Sequence, residues 1–304
     1  PQGTEAYLTH GMEDYFEPAI HIRHNDNNSS LLLKYVDHSS NAISNGVNET
    51  VITLKDDKYP VTVKLHYVAY GKENIIRAFS EISHEEKKPV ILCKYASSML
   101  HLNSSKYFLT EFSGDWAHEA NVTERELAFG KKVIDTKLGA RANMFVSPFF
   151  QLALDNPSQE NAGEVLVGTI GWTGNFRFTF EVDNKNELRI ISGINPYDSE
   201  YSLPAKEVFR TPDFYFTYST QGKGEASRNF HDWARNHQVK NGNDTRMTLL
   251  NNWESTYFDF DENKLIGLMD EATKLGVDMF LLDDGWFGNK HPRNSDNAGL
   301  GDWE

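Results

Sequence analysis

The sequence has a single cysteine among its 304 residues. One cysteine excludes an intramolecular disulfide and a cysteine-ligated metal cluster. Cys93 ends the apolar run Val90–Cys93, a setting that predicts a buried small hydrophobic side chain rather than a nucleophile. The histidines are scattered, and no pair has the spacing of metal ligands on a helix or hairpin. We therefore expect no metal and no cofactor.

Long apolar stretches are missing too, since no window approaches the roughly 18 residues that a membrane span requires. We expect no membrane insertion. The chain begins with Pro1, which is not a translation start, so an export signal cannot be read from it. Localisation stays open between cytoplasmic and, if a signal preceded this sequence, periplasmic or secreted.

Basic residues are the minority charge, with 30 Lys and Arg against 44 Asp and Glu and a net charge of −14. A surface this acidic repels phosphate backbones, and no stripe of Lys or Arg offsets it, which argues against nucleic acid as a partner. A Gly-rich phosphate loop and a Gly-x-Ser-x-Gly nucleophile elbow are also absent. A neutral ligand such as a sugar would not be repelled.

The abundant feature is β-strand pattern, which extends from about residue 30 to residue 220. Hydrophobic and polar side chains alternate in Val61–Tyr67 and Phe176–Val182, which places one face of each strand on a core and the other in water. Turn residues separate these segments from others of similar character. Further strands are predicted at Leu31–Val36, Thr50–Leu54, Ile75–Ser83, Val90–Ser97, Tyr107–Phe112, Val165–Ile170, Leu188–Ser192 and Val208–Tyr218. The pattern predicts a mostly β domain built as one large antiparallel two-sheet sandwich.

The pattern changes near residue 220. The pattern predicts a helix at Glu225–His237, with Phe230, Trp233 and Ala234 on one face. The polar, turn-rich segment Lys240–Asp244 follows it. We place the domain boundary there, which gives a β-sandwich domain at 1–240 with a C-terminal linker helix and a second domain at 241–304.

The second domain begins with a strand, a helix and another strand. Two buried strands are predicted, at Met247–Leu250 and Val277–Leu282. A helix is predicted between them, with Asp261 as its N-cap and Gly276 at its C-terminal end. This order predicts a parallel pair with a right-handed crossover. Parallel strands need further βα units to cover both faces, and few residues follow, so we expect the sequence to stop inside this domain.

Polar and aromatic side chains follow both predicted strands. Those after the first are Asn251, Asn252, Trp253 and Glu254, and those after the second are Asp283, Asp284, Gly285 and Trp286. Parallel α/β folds bind ligands beyond the carboxyl ends of their strands. Carboxylates and amides hydrogen-bond vicinal hydroxyls, and indole rings suit the apolar face of a pyranose, so these residues predict a sugar pocket.

From the residues alone, other interpretations stay open. An Asp-Asp-Gly run after a strand is often only a turn, Asn251 and Asn252 could cap backbone groups, and Trp253 could belong to the core. Asp283 and Asp284 are poorly placed to be a catalytic pair. Neighbours in a strand project to opposite faces, whereas retaining glycosidases need two carboxyls about 5–5.5 Å apart across one bond.

Three motifs follow one another in the second domain: LLNNWESTYFDF at Leu249–Phe260, FLLDDGWFG at Phe280–Gly288 and LGDW at Leu300–Trp303. In order and spacing they resemble the beginning of the catalytic barrel in α-galactosidases of glycoside hydrolase family 36. The β-rich part resembles the large N-terminal sandwich of that family more loosely. Its Ser113–Trp116 lies where the family has Ser-Gly-x-Trp followed by a basic residue, but Ala117 follows here.

The resemblance implies a large β-supersandwich followed by the start of an incomplete (β/α)8 barrel. It implies a retaining α-galactosidase whose nucleophile, an Asp in a Lys-Trp-Asp motif, and whose acid/base lie beyond residue 304, so that the chain alone is inactive. Trp253 would line the galactose site, with Trp286 next to it. Asp283 and Asp284 would bind the sugar hydroxyls, chiefly the axial 4-OH and the 6-OH. Asn252 completes the predicted substrate-binding site.

The implied partner is a galactose-containing oligosaccharide, and a homo-oligomer is expected because family members are often tetramers. One alternative keeps the fold and changes the reaction to that of an α-N-acetylgalactosaminidase or a raffinose-family transglycosylase. The other is a non-catalytic β-sandwich that binds carbohydrate or mediates oligomer contacts.

Overall fold

The structure, a computed structural model, describes residues 5–12, 15–140 and 145–303. The chain divides into two compact units, Pro1–Lys240 and Asn241–Glu304. The first unit holds two antiparallel sheets, so the predicted large β-sandwich is confirmed. The second contains two parallel strands joined through a helix, the unit from which (β/α)8 barrels are built.

The strands of the first unit, as far as it is described, form two sheets. They are β1 (Ile20–Arg23), β2 (Leu33–Ser44), β3 (Val47–Asp56), β4 (Val61–Tyr70), β5 (Ile75–His84), β6 (Val90–Asn103), β7 (Tyr107–Gly114), β8 (Asn121–Glu126), β9 (Gly130–Asp135), β10 (Phe145–Leu154), β11 (Glu164–Gly171), β12 (Phe176–Val182), β13 (Glu187–Ile194), β14 (Tyr201–Leu203), β15 (Val208–Arg210) and β16 (Asp213–Ser219). The larger sheet has the order β2-β3-β4-β5-β16-β11-β10-β7-β8, with β15 beside β5. The smaller has the order β1-β6-β13-β12-β9, with β14 beside β6.

The core lies between these sheets and is rich in phenylalanine. Phe150 of β10 contacts Phe178 and Phe180 of β12, with ring centroids 5.2 and 4.9 Å apart. A Cβ on Gly168 would lie 2.6 Å from the Phe150 ring and 2.8 Å from that of Phe214. At position 168 of β11, only glycine therefore leaves room for the rings of Phe150 and Phe214.

The opposite face of β12 is not in water, contrary to the prediction from its alternation. Thr179 and Glu181 are only 2% and 5% exposed. The N-terminal segment lies against Glu181, whose Oε2 accepts from the backbone N–H of Glu17 at 2.8 Å. The carboxylate of Glu17 also pairs with Lys94 at 2.5 Å and with Lys131 at 2.7 Å. Alternation identifies the core side of a strand, but it does not show that a distant segment covers the other side.

The other predicted strands are present with different ends, and β1, β8, β9, β10 and β14 lie where none was predicted. The residues of β8 are all exposed, so no core periodicity marks that strand. The segment predicted as Val208–Tyr218 is divided into β15 and β16 at Thr211 and Pro212, where proline lacks the N–H that a ladder needs. Cys93 is half-buried rather than buried, because it lies on the outer face of β6, opposite the core residue Leu92.

The predicted linker helix is α1 (Gly222–Trp233), and a π-helical turn at Ala234–Gln238 continues it. It packs on the outside of the larger sheet, where its Ala226 joins a cluster with Val165 and Val167. Trp233 lies on the buried face, as predicted, with its ring 4.6 Å from that of Tyr215.

The second unit contains β17 (Leu249–Asn251), α2 (Trp253–Thr256), α3 (Glu262–Lys274) and β18 (Met279–Leu281). The side chain of Asp261 accepts from the backbone N–H of Lys264 at 2.8 Å and caps α3 as predicted. Gly276, at φ +78°, follows its end. The two strands are less buried than predicted, since two strands and one helix cannot cover both faces of a sheet. Among the helices that the structure describes, none has the length and apolar character needed to cross a membrane.

Candidate functional site

The carboxyl ends of β17 and β18 lie side by side. The strands pair in parallel with Asn251 opposite Leu281, so the loops that follow them begin at the same edge. Two hydrogen bonds join these loops directly. The side-chain amide of Asn251 donates to Oδ2 of Asp283 at 2.6 Å, and the backbone N–H of Asp283 donates to Oδ1 of Asn252 at 2.8 Å. The parallel register therefore assembles residues that are more than thirty positions apart in the chain.

Asn252 is the most buried of the predicted site residues, with no exposed surface. While its Oδ1 accepts from Asp283, its Nδ2 donates to Oγ1 of Thr256 at 2.9 Å. Both ends of the amide are thus bonded within the chain, and Asn252 aligns the two loops. Its contact with a sugar stays a prediction.

Asp284 is held by Arg293, which was not among the predicted site residues. Nε of Arg293 donates to Oδ1 of Asp284 at 2.9 Å, and Nη2 donates to Oδ2 at 2.7 Å. This hydrogen-bonded guanidinium lowers the pKa of Asp284 below its usual value, which keeps the carboxylate ionised near neutral pH. The segment around Arg293 has no periodic pattern, and only the folded loop brings it to Asp284.

The two carboxylates still have free acceptor positions. A carboxylate offers about four lone-pair sites. Asp283 uses one for the N–H of Asp284 and one for Asn251. Asp284 uses one for the N–H of Gly285, at 2.8 Å, and two for Arg293. About two acceptor positions on Asp283 and about one on Asp284 therefore remain for a ligand.

The turn that an Asp-Asp-Gly run predicts is present. Gly285 has a φ of +94°, which L-residues rarely adopt. A Cβ at this position would lie 3.1 Å from the ring of Phe260 and 3.2 Å from that of Phe258. The turn and the sugar-pocket interpretation are compatible, because both carboxylates keep free acceptor positions within the turn.

The two predicted tryptophans differ in setting. Trp253 is half-buried and packs edge to face against Phe258, with ring centroids 4.9 Å apart. Trp286 is 57% exposed and contacts Phe287. Direct hydrogen bonds bring Asn252 and the two aspartates together, whereas Trp253 and Trp286 are near them as chain neighbours.

The third motif has a structural role in the loop that follows β18. Oδ2 of Asp302 accepts from the backbone N–H groups of Lys290 and His291 at 3.0 and 2.7 Å. These bonds close the loop on itself. Within residues 5–12, 15–140 and 145–303, no three His, Cys, Asp or Glu side chains are grouped as a metal site requires.

Family models match nearly the whole chain. A model described as glycosyl hydrolase family 36 N-terminal domain matches residues 2–204, and a model described as Melibiase matches residues 208–304. The chain belongs to glycosyl hydrolase family 36, which confirms the resemblance inferred from the motifs.

Named relatives and solved structures agree with this assignment. Alpha-galactosidase 2 of Hypocrea jecorina is 32% identical over 309 residues, which cover 97% of this chain and 41% of that protein. The crystal structure of the GH36 alpha-galactosidase AgaA from Geobacillus stearothermophilus matches with a TM-score of 0.87 and 30% identity, over 98% of this chain and 43% of that one. A variant of AgaA in complex with stachyose matches with a TM-score of 0.88 and 28% identity, over 99% and 43%.

The chain spans about two fifths of the length of the relatives it matches. The structural agreement covers both compact units. The predicted fold, a mostly β supersandwich followed by the start of a (β/α)8 barrel, is confirmed.

Proposed function

We propose that the protein containing this sequence is a retaining α-galactosidase that releases terminal α-linked galactose from oligosaccharides. One observation carries the proposal: two neighbouring carboxylates, one of them ion-paired, lie at the carboxyl edge of adjacent parallel strands with acceptors to spare. Barrel enzymes bind their substrates at that edge. The relatives named above are α-galactosidases, which supports galactose as the sugar.

In the proposed site, Asp283 and Asp284 accept hydrogen bonds from the sugar, chiefly from the axial 4-OH and the 6-OH. A hydrogen bond from a hydroxyl to a charged group contributes about 1.5–3 kcal/mol, enough to separate galactose from its 4-epimer. Trp253 and Trp286 offer ring faces to the apolar side of the pyranose. Asn252 belongs to the same proposed site and keeps the backbone of Asp283 in line.

The proposed reaction is a double displacement. A carboxylate attacks the anomeric carbon and displaces the aglycone, and water then releases galactose with retained configuration. We assign the nucleophile and the acid/base to residues outside this sequence. Asp283 and Asp284 serve binding, because they are chain neighbours engaged with Asn251 and Arg293. The sequence by itself is therefore proposed to be inactive.

The proposed substrates are galactose-containing oligosaccharides, and the stachyose complex of the AgaA variant supports this class. We further propose a homo-oligomer and a division into a sandwich domain at 1–240 and the first part of the barrel at 241–304. The two compact units have these bounds.

The test is hydrolysis of 4-nitrophenyl α-D-galactoside by two proteins. One is this 304-residue chain, and the other is the longer protein encoded by the natural reading frame, which includes a complete barrel. The corresponding α-glucoside and N-acetyl-α-galactosaminide are the control substrates. We expect turnover of the galactoside by the longer protein alone, with α-galactose as the first product in proton NMR. A preference for the N-acetyl substrate would favour the alternative activity. Turnover by the short chain would place the nucleophile within it, and no turnover by either protein would refute the proposal.

A further inference from the structure

Arg293 makes five hydrogen bonds in the second unit. Two go to Asp284, as described above. The other three go from Nη1 to the backbone carbonyl oxygens of Ser295, Asp296 and Ala298, at 2.8 Å each, with one of its two N–H groups shared between two of these acceptors. A guanidinium is a rigid planar fork, so the same group that orients the carboxylate also holds the loop that follows.

The surroundings of this guanidinium limit its movement further. Its carbon Cζ lies 5.6 Å from the ring centroid of Phe258 and 5.7 Å from that of Phe287. The Arg293 side chain is 7% exposed, against 25% for Asp284. The Asp284 carboxylate is therefore the accessible end of the pair, while the charge that fixes it is shielded from water.

This geometry determines what Asp284 can still bind. Its Oδ1 accepts from Gly285 and from Nε of Arg293, so both lone pairs on that oxygen are used. One lone pair of Oδ2 is used by Nη2 of Arg293. About one acceptor direction remains, and it lies on Oδ2. Because two parallel bonds prevent the carboxylate from rotating, that direction is fixed before any ligand arrives.

We propose that Arg293 is a positioning residue of the sugar site, which holds Asp284 so that Oδ2 accepts a hydrogen bond from one sugar hydroxyl. The other hydroxyl contacts fall to Asp283, which has about two acceptor positions free. This proposal rests on the proposed function. Arg293 acts through Asp284 and does not touch the sugar itself.

The experiment uses the protein with the complete barrel and 4-nitrophenyl α-D-galactoside. Its variants are Arg293→Gln, Arg293→Lys, Asp284→Asn and the double variant Arg293→Gln/Asp284→Asn. The matched control is Arg246→Gln, since Arg246 is an exposed arginine of the same unit with one bond to the carbonyl of Asn241. Thermal unfolding of each protein shows whether it is folded.

We expect Arg293→Gln and Asp284→Asn each to lower kcat/KM at least about tenfold, the equivalent of one lost charge-assisted hydrogen bond. The double variant should fall no more than about threefold below Asp284→Asn, because a residue that acts through Asp284 has little left to lose once that carboxylate is gone. Arg293→Lys keeps the charge and should recover part of the loss. The Arg246→Gln protein should match the wild type.

The proposal would be overturned if the loss of kcat/KM in the double variant equalled the product of the losses in the two single variants. It would also be overturned if Arg293→Gln had near-wild-type kinetics. If Arg293→Gln does not fold, the same comparison is made with Arg293→Lys alone and combined with Asp284→Asn. A wild-type protein without galactosidase activity would refute the proposed function, and the sugar role of Arg293 with it. An active wild type with multiplying losses would refute only the role of Arg293.

Discussion

Glu17 joins the N-terminal segment to the outer face of the smaller sheet, and Glu17→Gln tests whether charge holds that segment. Its carboxylate pairs with Lys94 and Lys131, and its backbone N–H donates to Glu181. Glutamine keeps the size and the backbone bond but removes the negative charge. Lys94, which is only 9% exposed, then has no carboxylate partner at that position.

Two quantities set the size of the effect. Removing one partner of a buried ion pair costs about 3–5 kcal/mol. Burial alone would raise the pKa of Glu17, but Lys94 and Lys131 outweigh it and lower that pKa from 4.5 to about 2. By linkage this shift corresponds to at most about 3.4 kcal/mol. The Glu17 side chain is 23% exposed, so solvent screening reduces both figures. We expect a loss of about 2–3 kcal/mol, which lowers Tm by roughly 4–12 °C.

The sign of the pH dependence follows from the lowered pKa. A carboxyl whose folded pKa lies below its unfolded value stabilises the fold above the unfolded pKa, and this stabilisation is lost as pH falls through the folded pKa. The difference between wild type and Glu17→Gln should thus be full above about pH 5 and shrink between pH 4.5 and about 2.

Denaturant unfolding followed by circular dichroism, at pH 7 and down to pH 3, measures this difference. Glu126→Gln is the control, because the pair that Glu126 forms with Lys106 has side chains that are 49% and 53% exposed. Such a surface pair should change stability by no more than about 1 kcal/mol. Equal midpoints for the two variants, or a difference unaffected by acid, would refute the argument.

Three further predictions concern the second unit. In the protein with a complete barrel, Asp283→Asn should lower kcat/KM for an aryl α-galactoside at least about tenfold, because charged acceptors are lost; wild-type initial rates would contradict this. Gly285→Ala should lower stability by about 1–2 kcal/mol, since φ is +94° and the new Cβ would press on Phe258 and Phe260; an unchanged thermal midpoint would contradict the strain. Asp261→Ala should cost about 1 kcal/mol by removing the cap of α3, and unchanged hydrogen exchange at the amide of Lys264 would show that the cap contributes nothing.

The alternation in Phe176–Val182 illustrates how far periodicity predicts a fold. The phenylalanines of β12 are buried between the sheets as their spacing predicted, because side chains of a strand alternate between its faces. The same rule failed for Thr179 and Glu181, which are buried. The segment that contacts Glu181 is 164 residues away in the chain. Periodicity is a local property, and coverage by a distant segment is not.

The candidate site divides in a similar way. Asp283 and Asp284 were predicted from their position after a strand, and Asn252 from its place after the neighbouring one. The bonds among them follow from parallel register, which the strand-helix-strand order predicts. Arg293 could not be predicted, because it reaches Asp284 through an irregular loop whose path depends on its own internal bonds.

Local periodicity and contiguous motifs were sufficient to predict the two-part organisation, the core faces of the alternating strands, the capped helix of the second unit and the family. Tertiary structure alone decided which polar side chains are paired. It placed Glu17 on Lys94, bonded Asn251 to Asp283 and brought Arg293 to Asp284. A hydrogen bond or ion pair depends on the positions of two groups to within a few tenths of an ångström, and only the folded backbone specifies those positions.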